Sequence, residues 1–237
     1  MIAVVIPTYC EAENVGKLIN ELESLNLDLW VIVVDDSSPD GTASVVRELM
    51  KKYGNLTLVE RSKKSGIGTA ILRGFRVCSS NLREADYVAV MDADLSHDPK
   101  DLPRLVKGLE GADVVIGSRY VEGGAIEGWS FSRKAISKTA NFLARKVLGL
   151  EVRDATSGYR VYRLKAALEI VDEVENFGFP FQVEVLYRLV KKGFKVKEVP
   201  IRFVNRKRGK SKLNLREIIS FLYTLLKLKF DRLYDVV

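Results

Sequence analysis

The 237 residues include only two cysteines and one histidine. Cys10 and Cys78 cannot build a disulfide framework and lack metal-ligand spacing, which points to a reducing compartment. His97 is the one candidate for a Ser-His-Asp triad, and no GxSxG elbow accompanies it. No GxxxxGK(S/T) occurs, which excludes a P-loop nucleotide hydrolase. No GxGxxG follows the first strand-like run, and Gly66-Ile67-Gly68 comes after the third without a last glycine, which disfavours a Rossmann cofactor. No basic leader precedes the opening IAVVIP, so no signal peptide is expected. The uncharged run Ile218 to Leu226 is far short of the ~20 residues that span a bilayer, so no crossing segment is expected.

Acid is also lacking in one place. The net charge of +7 is matched by Arg202, Arg206, Lys207, Arg208, Lys210, Lys212 and Arg216, a stretch with no intervening carboxylate. Such a run is either a solvated face or a surface for nucleic acid, anionic lipid or a phosphorylated substrate. A nucleic-acid-binding protein would predict salt-dependent oligonucleotide binding, but Phe203 is the only aromatic platform in the stretch. At 47% hydrophobic and 29% charged, the rest has the composition of an ordinary globule.

Apolar runs alternate with helix-period segments: IAVVI (2–6), WVIVV (30–34), LTLVE (56–60), YVAVM (87–91) and DVVIG (113–117). Between the first two, Val15, Leu18, Ile19, Leu22 and Leu25 share one helical face. Continuous apolar strands linked by helices predict an α/β fold with a mostly parallel sheet covered on both faces. Residues 131–148 read as a basic amphipathic helix, 156–163 as a strand and 181–193 as a helix ended by Gly193. Residues 194–203 read as an edge strand broken at Pro200, and 214–235 as an amphipathic helix that packs on a protein surface or lies on a membrane. With no linker or repeat, one domain over 1–213 and a C-terminal helix over 214–237 are expected.

Ligands of parallel sheets bind at the carboxyl ends of the strands. There the sequence places PTYCE, DDSSPDGT, RSKKSGIG, DADLSHDP and SRYVEGG. Turn chemistry explains part of this pattern, with Ser37, Ser38 or Asp40 as helix caps. Glu11, Asp35, Asp36, Asp92 and Asp94 would still repel one another at one edge unless a cation or ligand donors meet them. Asp92-Ala93-Asp94 presents two carboxylates on one side of a turn, suited to a hard divalent cation whose other ligands are phosphate oxygens and water. That pattern implies a diphosphate substrate. His97 could also ligate, but its place before a new helix suggests a surface or hydrogen-bonding role. Gly123, Gly124 and Gly128 would permit a closing loop over 120–130.

These blocks, together with WSFSRKAIS, TSGYRVYR, EVPIRF and RKRGKSKL, resemble in order the dolichyl-phosphate mannosyltransferases of glycosyltransferase family 2, over residues 2 to beyond 213. The resemblance implies a GT-A fold and inverting transfer of mannose from GDP-mannose to dolichyl or another polyprenyl phosphate, giving dolichyl β-D-mannosyl phosphate. It implies nucleotide-sugar contacts at Pro7, Tyr9, Glu11, Val34, Asp36, Asp92, Ala93, Asp94, Arg119 and Arg206. Asp94 and Ser96 match the ligands of Mn2+ or Mg2+. Arg119, Arg133, Ser137 and Arg206 match groups that hold the donor diphosphate and the acceptor phosphate, with Asp94 and Arg119 expected to be catalytic. Cys10 stands where the family usually has Asn, and a small buried thiol is expected there.

The resemblance also implies peripheral attachment at the cytoplasmic side of a membrane, an anchoring protein partner, and no nucleic acid. UDP-glucose or UDP-GlcNAc as donor is the nearer alternative.

Overall fold

The computed structural model describes residues 1–82, 84–175, 178–205 and 215–234. Seven strands form one sheet: β1 (Ile2–Thr8), β2 (Leu29–Asp35), β3 (Leu56–Glu60), β4 (Tyr87–Val90), β5 (Val114–Ser118), β7 (Arg160–Arg163) and β8 (Val196–Pro200). Their order is β3-β2-β1-β4-β7-β5-β8, and β7 alone runs antiparallel. Val and Ile fill β1, β2 and β5 because both faces are covered there. Ile2, Val4 and Ile6 of β1 enter one core and Ala3 and Val5 the other, the period-2 alternation of a strand. Full burial of each Val or Ile contributes about 1.5–3 kcal/mol, so these strands anchor the domain.

Helices α1 (Ala12–Glu23) and α2 (Thr42–Met50) flank the sheet with α3 (Ile67–Asn81), α4 (Leu102–Lys107), α6 (Leu164–Glu169) and α7 (Phe181–Lys191). At Gly74 a β-carbon would collide with Val5, so α3 reaches β1 only because this residue is glycine. Helix α5 (Phe131–Leu148) opens on Ser130, whose hydroxyl accepts from the Arg133 amide, and closes on left-handed Gly149. Helix α8 (Leu215–Tyr234) packs on α5 and α7 and places Phe221, Leu225 and Leu228 in a third core.

Residues 120–130 are held by a second sheet, in which β6 (Ala125–Glu127) pairs in parallel with β9 (Arg202–Val204). The expected strand over 156–163 is confined to β7, because 155–158 turns inward as a loop around the buried Arg160. No described helix is long and apolar enough to cross a membrane.

Candidate active site

The carboxyl ends of β1, β2 and β4 carry the expected loops, and each contains one non-glycine residue in the left-handed region. These are Cys10 at φ 61°, Ser37 at φ 54° and Leu95 at φ 60°. Cys10 is exposed, contrary to the expectation of a buried thiol. Its amide donates to the Ser38 hydroxyl, linking the first two loops. The Glu11 amide donates to the Thr42 hydroxyl, and the Glu11 carboxylate accepts from Asn14. The ammonium of Lys64 sits 3.5 Å above the Tyr9 ring. Pro7 is half-buried opposite Val34, whose side chain is wholly enclosed in the core beneath α3.

Two of the crowded acids are met by the protein's own donors. Asp35 accepts from the Thr8 hydroxyl at 2.8 Å and from the Ser38 amide and hydroxyl at 2.8 and 2.6 Å. Asp36 accepts from the Ser65 and Gly66 amides at 3.0 and 3.1 Å and pairs with the Arg61 guanidinium. Asp36 therefore clamps the β3–α3 loop.

The turn after β4 is built differently. Ala93 is buried in the core and anchors the turn, while the Asp92 and Asp94 side chains stay half-exposed. Asp94 accepts from the Ser96 amide at 3.0 Å. The Ser96 hydroxyl is buried and has no hydrogen-bond partner, an orphaned oxygen beside a carboxylate. His97 is buried rather than on the surface. Its Nδ1 accepts the Asp92 amide at 3.1 Å, and its ring stacks on Tyr159 with centroids 5.0 Å apart. Burial pushes its pKa down against the opposing pull of Asp92 and Asp94, so the ring is neutral and carries its proton on Nε2. The histidine shapes the Asp92 turn rather than moving a proton.

Arg119 is 8% exposed and donates to both carboxylate oxygens of Asp154, from Nε and Nη2 at 2.7 Å each. Its Nη2 also donates to Thr156 at 2.9 Å. Trp129 and Phe203 lie near its guanidinium, at 5.3 and 5.6 Å from the ring centroids. Burial opposes its charge, but Asp154 outweighs burial and raises the pKa. Arg119 is thus paired within the protein by Asp154, a partner that the sequence did not announce.

Arg119 lines a groove of about 580 Å³. Lys134, Lys138, Arg145 and Arg153 line it with cations, and Val121, Ile126 and Phe142 line it with apolar surface. Arg133 stacks at 4.0 Å on Trp129 and donates to Asn205, one turn from the half-buried Ser137. Arg206 and most of the basic stretch, 206–212, lie outside the described residues. Phe131, Ile136 and Phe142 of α5 are exposed, as are Ile219, Leu222, Tyr223, Leu226 and Phe230 of α8.

Sequence reading missed Asp154, which precedes TSGYR without any motif signal, and the part of Arg61, whose partner Asp36 is distant in sequence.

Residues 3–171 match the family described as Glycosyl transferase family 2. The chain is 41% identical over 222 residues to polyprenol monophosphomannose synthase of Mycolicibacterium smegmatis, covering 90% of this chain and 82% of that protein. It is 40% identical over 211 residues to undecaprenyl-phosphate mannosyltransferase of Micrococcus luteus, covering 89% and 86%. Among solved structures, glucosyl-3-phosphoglycerate synthase of Mycobacterium tuberculosis, with Mn2+, UDP and glucosyl-3-phosphoglycerate, superposes with a TM-score of 0.67 at 20% identity. That match covers 98% of this chain and 79% of the other. A mannosyltransferase of Pyrobaculum calidifontis, in complex with GDP-Man and Mn2+, superposes with a TM-score of 0.61 at 20% identity, covering 99% and 64%.

Proposed function

Since the chain belongs to glycosyl transferase family 2 and has its GT-A fold, we propose that it transfers mannose from GDP-mannose to a polyprenyl phosphate, dolichyl phosphate included. The observation that carries this reading is the meeting, at Arg119, of the Asp92 turn with a groove lined by both cations and apolar side chains. An acceptor with an anionic head and a hydrocarbon tail suits that lining. The names of the two relatives and the GDP-Man held by the Pyrobaculum enzyme support the same substrates.

The mechanism needs little proton chemistry. A lipid phosphate oxygen is already anionic, so it attacks the anomeric carbon without a general base, and the bond to the nucleoside diphosphate breaks on the opposite face. The product is the β-linked mannosyl phosphate. His97 is neutral and tied to a backbone amide, in keeping with this economy. Arg133 and the groove lysines would draw two anions together that otherwise repel.

Asp94 and the orphaned Ser96 hydroxyl are hard oxygen donors, and no group of three or more acidic, histidine or cysteine side chains placed to hold a metal ion occurs among the described residues. That set fits Mn2+ or Mg2+ bound by few protein ligands, with phosphate oxygens completing the shell. When bound, the ion supplies positive charge against the departing diphosphate. The exposed apolar residues of α5 and α8 would rest on the cytoplasmic face of a membrane or on an anchoring partner.

The test is transfer of radiolabelled mannose from GDP-mannose to a polyprenyl phosphate, with Mn2+ and with EDTA, for the wild type and Asp94→Ala. Labelled lipid that needs the metal and is lost in the variant supports the reading. Activity only with UDP-sugars overturns the donor assignment.

A further inference from the structure

Gln182 lies in the first turn of α7, outside every loop considered so far. Its Oε1 is buried and has no hydrogen-bond partner. The residue is not loosely placed. Arg160, wholly buried, donates Nη1 to the Gln182 carbonyl at 2.9 Å, Nε to the Ser157 carbonyl at 2.9 Å and Nη2 to the Ala155 carbonyl at 2.7 Å. One guanidinium therefore locks the start of α7 to the 155–158 loop. The Ser157 hydroxyl fastens that loop to the Gly117 carbonyl at 2.6 Å.

Next in that loop is Gly158, which leaves a space that a side chain would fill. A β-carbon there would lie 3.7 Å from Gln182 Nε2, 3.8 Å from Asp92 Oδ1 and 3.8 Å from His97 Cε1. An amide and a carboxylate thus converge on one side-chain-free point, against the strand-end turn that begins at Asp92. A diphosphate would meet repulsion from Asp92 there. A neutral polyol meets none: one hydroxyl can donate to the stranded Oε1 and accept from Nε2, while a neighbouring hydroxyl donates to Asp92.

We propose that Gln182, Asp92 and the space over Gly158 form the subsite that holds the hydroxyls of the donor's sugar, with Gln182 as its specificity-determining residue. This rests on the mannosyl-transfer reading and adds to it the part of the site that tells one sugar from another. A phosphate acceptor asks for no base, so an amide can stand against the sugar and serve recognition alone.

Two variants test it. In Gly158→Ala the added methyl makes only ordinary contacts within the protein, so the fold tolerates it while the subsite is filled. Gln182→Ala removes the amide without adding volume. For each, kcat/KM is measured with GDP-mannose and GDP-glucose, together with the Kd of GDP alone and the melting temperature. The expected result for Gln182→Ala is a loss of about 10-fold or more in kcat/KM for GDP-mannose and a reduced preference over GDP-glucose. Gly158→Ala loses transfer at least as strongly. The Kd of GDP stays within about twofold of wild type in both, because the nucleotide is held elsewhere. Unchanged kcat/KM in both variants of an active enzyme overturns the proposal, as does a parallel loss of GDP affinity. Should the wild type use a UDP-sugar instead, the mannose reading falls, and the same variants, scored on that sugar against UDP alone, still decide the subsite.

Discussion

Replacing Asp154 by alanine should cost the fold far more than removing a surface charge. The Asp154 carboxylate is fully buried and accepts from the Arg119 amide at 2.9 Å, from its Nε and Nη2 at 2.7 Å each, and from Thr156 at 3.3 Å. With the acid gone, the guanidinium remains in a site where its side chain is 7% exposed, and an unpaired buried charge of this kind costs about 3–5 kcal/mol. For a chain of this size, each kcal/mol moves the melting temperature by about 2–4 °C, so a fall of about 6–20 °C is expected. Arg119→Met leaves the buried carboxylate alone and should fall comparably. The double variant Arg119→Met/Asp154→Ala removes both charges, so its loss should be well below the sum of the two single losses. Thermal and urea unfolding of the four proteins measures the cycle. Strictly additive losses, or an Asp154→Ala melting temperature within about 2 °C of wild type, would refute the claim that the two charges act as one neutral unit.

The two thiols should separate cleanly. Burial pushes the Cys78 pKa up to about 12 while Cys10 is exposed, so a maleimide at mildly alkaline pH should label Cys10 alone until the protein is unfolded; mass spectrometry of labelled peptides counts the sites. Cys10→Asn suits the left-handed backbone at φ 61° better than cysteine does, and should raise stability by about 0.5–1 kcal/mol in denaturant titration. Burial works against the charged Asp40, but bonds from the Thr42 hydroxyl and from the Ala12 and Thr42 amides outweigh it and lower its pKa below 3.8. A lowered folded pKa gives stability that is present above the unfolded value and lost as pH falls through the folded one. Asp40→Asn should therefore flatten the acid slope of melting temperature between about pH 5 and pH 3.

The sheet was legible because each strand carries its own signal. IAVVI and WVIVV could only be buried on both faces, and the polar segments after them could only lie at one edge. What stayed hidden depends on pairing across the fold. Nothing near Asp36 in sequence announces Arg61 or the Ser65 and Gly66 amides, so its part in stitching two loops together could not be read there. Arg119 was found, but its partner 35 residues on was not, and with it went the knowledge that most of its charge is answered. Val34, expected at the nucleotide, has its side chain in the core beneath α3, a placement that the apolar run alone does not tell. Gln182 carries no motif; only the buried, unanswered amide oxygen marks it.

The three left-handed residues Cys10, Ser37 and Leu95 bear on how tightly the proposed site can hold its ligand. Each such residue outside glycine costs roughly 1–2 kcal/mol of backbone strain. That strain is borne by the folded scaffold itself and, on the proposed reading, before any nucleotide arrives. Loops already bent to their working shape surrender little disorder on binding, so more of the contact energy is left for affinity. A change that relaxed all three turns to glycine would have the opposite effect, exchanging a stiffer receptor for a softer one that must be ordered at every turnover.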